Sequence, residues 1–462
     1  MPNRAVLFHL EQKMKTVTII GAGLAGSLLA LYLAKRNYFI EVYESRPDIR
    51  STNIDGGRSI NLAMSCRGLT GLAGVDLGAE VEKILVPMRA RAIHEENGTI
   101  KYQPFGRHAD EYINAVQRTD LNKLLLNELE KLPNVKLHFE MKLERLDVYK
   151  KELSFKAKDG NYVTSSYEYL VGADGSGSFV RETLAHEKLI TSSRKFLPHG
   201  YKELSLSRVG THDLAHEHLH LWPRDSFLLL GNPNCDFSVT GSLFLPHEGK
   251  NSFAELDNEI VVNQFFNSAF ADIYKTMPDL TAEFLTNPTG NMSTINCTAW
   301  YYKDQCLLIG DAAHGVVPFF GQGMNSAFED CRILNNLLDK FHDDWQQVMP
   351  AFYHARKKNT DAVAKMSMDN YHEIQSDIRD YQFNYKKQIN MELMKRYPDI
   401  YVSKHVLVMF TNTPYAEAEA IGHLQNELLN EICATARSID AIDWLNIDVF
   451  VKKYDKKLAN LQ

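Results

Sequence analysis

Apolar and polar residues alternate along this chain in two rhythms, one of strands and one of helices. The run TVTII (16–20) has strand length, and a turn carrying Gly21, Gly23 and Gly26 separates it from an amphipathic helical pattern through Ala25, Leu28, Leu29 and Tyr32. FIEVYESRP then alternates apolar with polar residues and ends in Glu44 and Arg46. Two further strand-and-glycine pieces come much later, YEYLVGADGSGSFVR (167–181) and DQCLLIGDAAHGVVPFFGQGMNSAFEDC (304–331). Units of this kind so far apart predict an α/β nucleotide domain interrupted by insertions.

The insertions read differently. Segments 76–106 and 186–290 carry short alternating strands such as MRARAIH and FSVTGSLFLP, which predict a separate sheet. Beyond about residue 335 the stretch AFYHARKKNTDAVAKMSMDNYHEIQSDIRDY keeps helical spacing without Gly or Pro. The expected organisation is therefore a discontinuous nucleotide domain (14–75, 107–185 and 291–340), a β-sheet substrate domain (76–106 and 186–290) and a C-terminal helical cap (341–462).

Composition removes several classes of function. The chain has 462 residues and a net charge of −7, which argues against a general nucleic-acid binder that must meet phosphates with Lys and Arg. Six scattered cysteines (66, 235, 297, 306, 331 and 433) form no CxxC pair and no Cys/His cluster at metal-ligand spacing. Reduced thiols, no metal and a cytoplasmic setting are expected. No run approaches the roughly 18–20 apolar residues that span a bilayer, so no transmembrane segment is expected. The lysine-rich end DWLNIDVFVKKYDKKLANLQ reads as a surface helix, with peripheral membrane contact as the alternative, and residues 1–13 as a frayed leader or an over-long start before Met14.

The glycine turn suits a dinucleotide. Its backbone can approach a pyrophosphate closely and seat it on a helix N-terminus. Glu44, 18 residues beyond Gly26 at a strand end, is placed to accept from ribose hydroxyls, which leaves NAD and FAD both open. The later pieces favour FAD. Asp174 and Gly175 follow a strand, and Asp311 closes another strand where a carboxylate can accept from a ribityl hydroxyl. A Gly/Pro-rich loop then leads into a helix N-terminus whose amides can stabilise negative charge near a reduced flavin.

Together the GxGxxG, the DG and the GD motifs, in this order, resemble the class A flavoprotein aromatic hydroxylases. The likeness extends through GRSINLAMSCRG, PMRARAIH, PHGYKEL, LHLWPRD, VPFFGQGMNSAFEDC and MDNYHE. It implies a fold like that of para-hydroxybenzoate hydroxylase. It also implies FAD contacts at Gly21, Gly23, Ala25, Gly26, Tyr43, Glu44, Ser45, Arg46, Ala63, Arg118, Leu143, Asp174, Asp311, Gly323, Met324 and Asn325. In enzymes of this kind NADPH reduces the flavin, O2 adds at C4a, and the terminal oxygen of the hydroperoxide passes to an activated ring. The loop at Pro318, Phe319 and Phe320 would face that reactive edge and exclude water. His314 reads as structural.

The resemblance further implies an aromatic amino-acid substrate such as L-kynurenine, hydroxylated at ring position 3 in tryptophan degradation. Its carboxylate calls for a guanidinium fork, and Arg91 is the resemblance's choice. Arg91 alternates with Arg89 on one strand face, so one of them is free to pair with a surface acid. Asn370 and Glu373, three residues apart on a helix, match the positions that bind the amino end. Two positions depart from the family pattern: Phe105 and His405 stand where it has tyrosines, and both hydroxyls are missing. They keep open a hydroxylase of another arylamine or indole amino-acid-like aromatic. His405 can still donate, particularly when protonated. A flavin-dependent halogenase is disfavoured because Trp222, Trp300, Trp345 and Trp444 stand alone, and a non-catalytic flavin module because VPFFGQGMN and Arg91 are both present. A homodimer is left open.

Overall fold

A computed structural model describes residues 14–51, 61–206, 214–373 and 381–461. The expected leader at 1–13 lies outside the described residues. At the centre of the nucleotide domain is a six-stranded sheet, ordered Tyr301–Tyr302, Cys306–Leu308, Tyr169–Gly172, Thr16–Ile20, Phe39–Tyr43, Val135–His138. All neighbours are parallel except the first pair. Val17 sits between Tyr169 and Ile40, so its β-branched neighbours Ile19 and Ile20 are covered on both sheet faces, as a central parallel strand requires.

The helix after the glycine turn, Leu24–Lys35, differs from the amphipathic pattern expected of it. It is buried on nearly every side, from Leu24 and Gly26 through Ala34, because helices Arg118–Glu130 and Gly323–Lys340 flank it as well as the sheet. A helix that is apolar all round belongs in a core.

The two insertions contribute strands to one seven-stranded sheet, ordered Gly290–Cys297, Ser192–Leu206, Val239–Pro246, Leu228–Pro233, His218–Pro223, Ala90–His94, Ile100–Pro104. Period-two alternation gives it two apolar faces. Leu204, Leu229, Leu243 and Leu245 pack with Phe265, Phe266 and Phe284 from helices Glu259–Ala269 and Leu280–Thr286. Leu221, Leu228, Leu230 and Phe244 face the opposite way, into a cavity.

Two boundaries fall elsewhere than the sequence pattern placed them. The strand Gly290–Cys297 completes the second sheet through its pairing with Ser192–Leu206, whereas the sequence pattern assigns residues from 291 on to the nucleotide domain. The helix Trp345–His372 starts inside the nucleotide domain's core, where Trp345, Val348, Met349 and Phe352 are buried, and only its second half reaches the cap. Hydrophobic periodicity marks a helix but not the neighbour its stripe will meet.

The rest of the tail is helical, at Tyr381–Arg396, Lys404–Phe410, Tyr415–Cys433 and Trp444–Ala459. Tyr385, Ile389 and Leu393 pack with Leu428, Ile432, Ile447 and Val451 in a core of their own. Among the described residues no helix is long and apolar enough to cross a membrane. All six cysteines are free; Cys297, Cys306 and Cys331 are buried, Cys66 and Cys433 half-buried, and Cys235 exposed.

Candidate active site

A single cavity of about 1830 Å³ runs between the nucleotide domain, the seven-stranded sheet and the helical cap. Gly23, Ala25, Arg118, Asp311, Gly323 and Met324 line one region; Arg91, Phe105, Asn370, Glu373 and His405 line another; Ala63 and the loop Pro318–Phe320 also open onto it. The other expected cofactor residues, Gly21, Gly26, Tyr43, Glu44, Ser45, Arg46, Leu143, Asp174 and Asn325, are not among the residues that line it.

The first turn is shaped by close approach. Gly21 adopts φ +103° and gives its amide N–H to the Tyr43 carbonyl, and a Cβ there would stand 2.6 Å from the Ala173 carbonyl oxygen. A Cβ on Gly26 would meet the Gly21 carbonyl oxygen at 2.0 Å, so only glycine lets the helix start against the strand. Gly23, by contrast, has open space before it, on the cavity side.

Glu44 closes the second strand and is almost wholly buried. Its carboxylate accepts from the Ala22 N–H at 3.0 Å and from the Arg46 N–H and guanidinium at 2.9 and 2.8 Å. Burial alone would raise its pKa, but these donors hold it below the usual carboxylate range. Ser45 adds a hydroxyl contact to the same carboxylate at 3.3 Å. Tyr43 turns inward and stacks on Phe155 and His138, and Leu143 is core, paired opposite Phe155. Neither residue is among those that line the cavity.

Asp174 accepts from the Val180 N–H through one oxygen at 3.2 Å, and its other oxygen is buried with no hydrogen-bond partner among the described residues. Burial pushes this carboxyl up. An orphaned buried oxygen, a glycine cradle, a ribose-ready carboxylate at Glu44 and a guanidinium at Arg118 together fit an FAD.

The loop after Asp311 is held from beneath by a buried ionic network that the sequence did not reveal. Asp330 accepts from the Gly310 N–H at 3.2 Å, pairs with His314 Nε2 at 2.5 Å and with Arg356 Nε at 2.6 Å. Arg356 also reaches Glu329, which accepts from Arg67 Nη1 at 2.7 Å. Arg67 in turn donates to the Thr413 carbonyl and lies 3.9 Å over the Tyr415 ring, tying the cap to the nucleotide domain. His314 is thus a structural residue, as expected. These residues are far apart in sequence and have ordinary helical spacing, so no local signal marks them.

Asn325 binds the same loop. Its side chain accepts from the Ser65 N–H and donates to the Ala63 and Gly321 carbonyls. Pro318–Phe320 forms one 3₁₀ turn closed by Gly321, and Asn370 donates to the Phe319 carbonyl at 3.2 Å. Phe319 packs on Phe244 and Tyr371, while Phe320 is buried. Asn370 therefore touches the loop as well as the cavity.

At the other end, Arg91 extends from the strand Ala90–His94 and lies 4.6 Å over the Phe105 ring. Arg89 pairs instead with the exposed Glu217 at 2.7 Å. Phe105 stacks on His405, which also meets Phe320. Burial first, then the charges of Arg91 and Lys387, hold His405 well below its ordinary pKa. A protonated His405 is thus not available at neutral pH, and its buried Nε2 has no partner among the described residues. Burial also pushes Arg91 down to about 10, against the opposing effect of Glu373.

Sequence reasoning missed Lys387 in the cavity wall and Glu203 outside that wall. Lys387, on the helix Tyr381–Arg396, lines the cavity. Glu203, on the strand Ser192–Leu206, feels Arg118, and burial pushes its carboxyl up to about 7. Helical spacing of 383, 387 and 391 was the available signal for Lys387; nothing local pointed to Glu203.

Residues 14–347 match the family described as FAD binding domain. The chain is 62% identical over 448 residues to kynurenine 3-monooxygenase of Legionella pneumophila (strain Corby), an alignment covering 97% of this chain and 100% of that protein. It is 39% identical over 425 residues to the protein of that name from Myxococcus xanthus (strain DK1622), covering 91% of each. Among solved structures, 2-methyl-3-hydroxypyridine-5-carboxylic acid oxygenase in its tetrameric form superposes with a TM-score of 0.65 at 18% identity, covering 79% of this chain and 94% of that one. PqsL of P. aeruginosa in complex with 2-aminobenzoylacetate gives 0.63 at 19% identity, covering 79% and 97%. Those two likenesses show a shared fold. The end-to-end identity to the Legionella protein goes further, and this chain belongs to the kynurenine 3-monooxygenase family of FAD-dependent aromatic monooxygenases.

Proposed function

We propose that this protein hydroxylates L-kynurenine at ring position 3, with NADPH and O2 consumed and NADP⁺ and water released. The observation that carries the reading is the one cavity that joins the FAD cradle to the buried Arg91, in a chain matched over 97% of its length by a relative named kynurenine 3-monooxygenase. Bound FAD would supply the reduction by NADPH and the activation of O2, chemistry that belongs to the cofactor.

The chain's own work is placement. Arg91 offers a planar fork to the substrate's α-carboxylate, and Glu373 and Asn370 take its ammonium. Phe105, His405 and Phe320 wall the ring and exclude water, with His405 neutral. Asn370 holds the Pro318–Phe320 turn by the Phe319 carbonyl and Asn325 holds Gly321, which closes it, by its carbonyl, so this wall is fixed in place for the transfer. Glu44, Arg118, Asp174 and Asp311 would hold the FAD, and Gly323 and Met324 would offer the start of their helix to it. The fully buried network beneath keeps Gly310 and Asp311 in register with the helix Gly323–Lys340. A cytoplasmic setting is supported by six free thiols.

The test is NADPH consumption by purified, FAD-loaded protein with and without L-kynurenine, with 3-hydroxykynurenine and hydrogen peroxide measured together. Stimulated oxidation matched by hydroxylated product is the expected result. Stimulation yielding mainly peroxide, or no stimulation, would overturn the substrate.

A further inference from the structure

The helix Tyr381–Arg396 faces two ways. Tyr385, Ile389 and Leu393 bury themselves in the cap's core, while Phe383, Lys387, Met391 and Met394 line the cavity. This three-and-four spacing is one helix face, and Lys387 sits at its middle. Its ammonium rests 4.2 Å from the Phe383 ring centroid, and it is close enough to Arg91, Glu373 and His405 for their charges to act on one another.

Two cations facing one apolar-walled chamber repel each other and lose hydration. Among the described residues no ion pair compensates Lys387, and Glu373 stands against both cations together. An arrangement of this kind is stabilised when an anion enters between them. The same end of the chamber has a phenyl ring at Phe105 and a neutral imidazole at His405, so neither position supplies a hydroxyl to a carboxylate. Lys387 lies on the cap side and Arg91 on the sheet side.

We propose that Lys387 is a second cation for the substrate's α-carboxylate, gripping it from the cap while Arg91 grips it from the sheet. This assignment rests on the L-kynurenine reading. The carboxylate then bridges the sheet and the cap, and its charge is met in a chamber that has no hydroxyl to offer from positions 105 and 405.

The measurement is direct binding to the FAD-loaded enzyme without NADPH, followed through the flavin absorbance. The ligands are L-kynurenine and kynuramine, which lacks the α-carboxylate. Lys387→Gln is expected to weaken L-kynurenine about ten- to hundredfold, the usual loss for a charge-assisted hydrogen bond, and to change kynuramine binding less than twofold. Lys387→Arg, which keeps the cation, should restore most of the affinity.

A pH series adds a second readout. Burial first, then the charge of Arg91, push Lys387 down to about 8, with Glu373 opposing them. The ratio of variant to wild-type Kd should therefore be large at pH 6.5 and shrink above pH 8, where the wild type loses its proton. The ligand's own amine titrates alike in both. Arg91 stays protonated to about 10, and His405, held well below its ordinary value, stays neutral. Equal loss for both ligands, or L-kynurenine binding in Lys387→Gln within twofold of wild type, would overturn this assignment alone. No binding of L-kynurenine to the wild type would overturn the substrate reading and this inference with it.

Discussion

Replacing Arg356 by methionine tests the claim that the network beneath the cofactor loop is structural. Methionine keeps much of the side-chain length and removes the charge. In the native protein Arg356 is 3% exposed and serves two carboxylates, Asp330 at 0% and Glu329 at 6% exposure. Asp330 would keep His314 and the Gly310 N–H, and Glu329 would keep Arg67, but each would lose a charged partner in a dry site. Breaking a buried pair from one side costs about 3–5 kcal/mol. With an unfolding entropy of roughly 2.1 cal/mol/K per residue, a chain of this size has a total near 1 kcal/mol/K, so Tm should fall by about 3–5 °C.

The same variant has a pH signature. Burial raises the Asp330 pKa, and His314 and Arg356 more than offset it, so the native carboxyl lies below its ordinary value. A carboxyl depressed in the native state contributes stability above its unfolded pKa of about 3.9, and that stability is lost as pH falls through the native value. Without Arg356 the native pKa rises, so the acid limb of the Tm profile should start at higher pH. Differential scanning calorimetry of the apoprotein from pH 4 to 8 reads both effects. Arg89→Met, which breaks an exposed pair with Glu217, is the control and should stay within about 1 °C of wild type. An Arg356→Met Tm that matches this control would refute the reasoning.

Other consequences are separable. Arg91→Ala should raise the L-kynurenine KM about ten- to hundredfold and leave the bound FAD content intact, since Arg91 lies in the chamber away from the cradle; unchanged KM in steady-state assays would remove it from the carboxylate. Asn370→Ala removes the donor to the Phe319 carbonyl, so the peroxide formed per NADPH should rise while substrate still stimulates oxidation, measured by coupled peroxide and product assays. Glu203 is pushed up to about 7 by burial, so between its unfolded pKa, near 4.3, and pH 7 the native state keeps a proton that the unfolded chain has released. Stability therefore falls as pH rises through that window, and Glu203→Gln apoprotein should match wild type near pH 4.5 and exceed it in Tm at pH 8.

Much of the fold was legible before any coordinates, because backbone constraints leave local marks. Gly21 and Gly26 are required by contacts within one βα turn and Glu44 by the end of the next strand, while strand alternation put Arg89 and Arg91 on one face and the family resemblance chose Arg91 between them. Each of these signals spans few residues. The conformation of Leu24–Lys35 shows the limit: its pattern reads as amphipathic, yet two helices from remote segments cover its other side. The first half of Trp345–His372 went to the nucleotide core for the same reason.

The active-site electrostatics were decided by tertiary structure alone. Whether His405 carries a proton depends on burial beside Arg91 and Lys387, which approach it from a strand and a helix distant in sequence. Asp330, Arg356 and Arg67 look like ordinary helix-surface charges until packing brings them together and removes water. Sequence by itself determined the cofactor cradle, the sheet that carries Arg91 and the aromatic loop, because those rest on short-range stereochemistry. Which charges face one another across the cavity, and how far burial shifts them, depended on long-range contacts that no local pattern encodes.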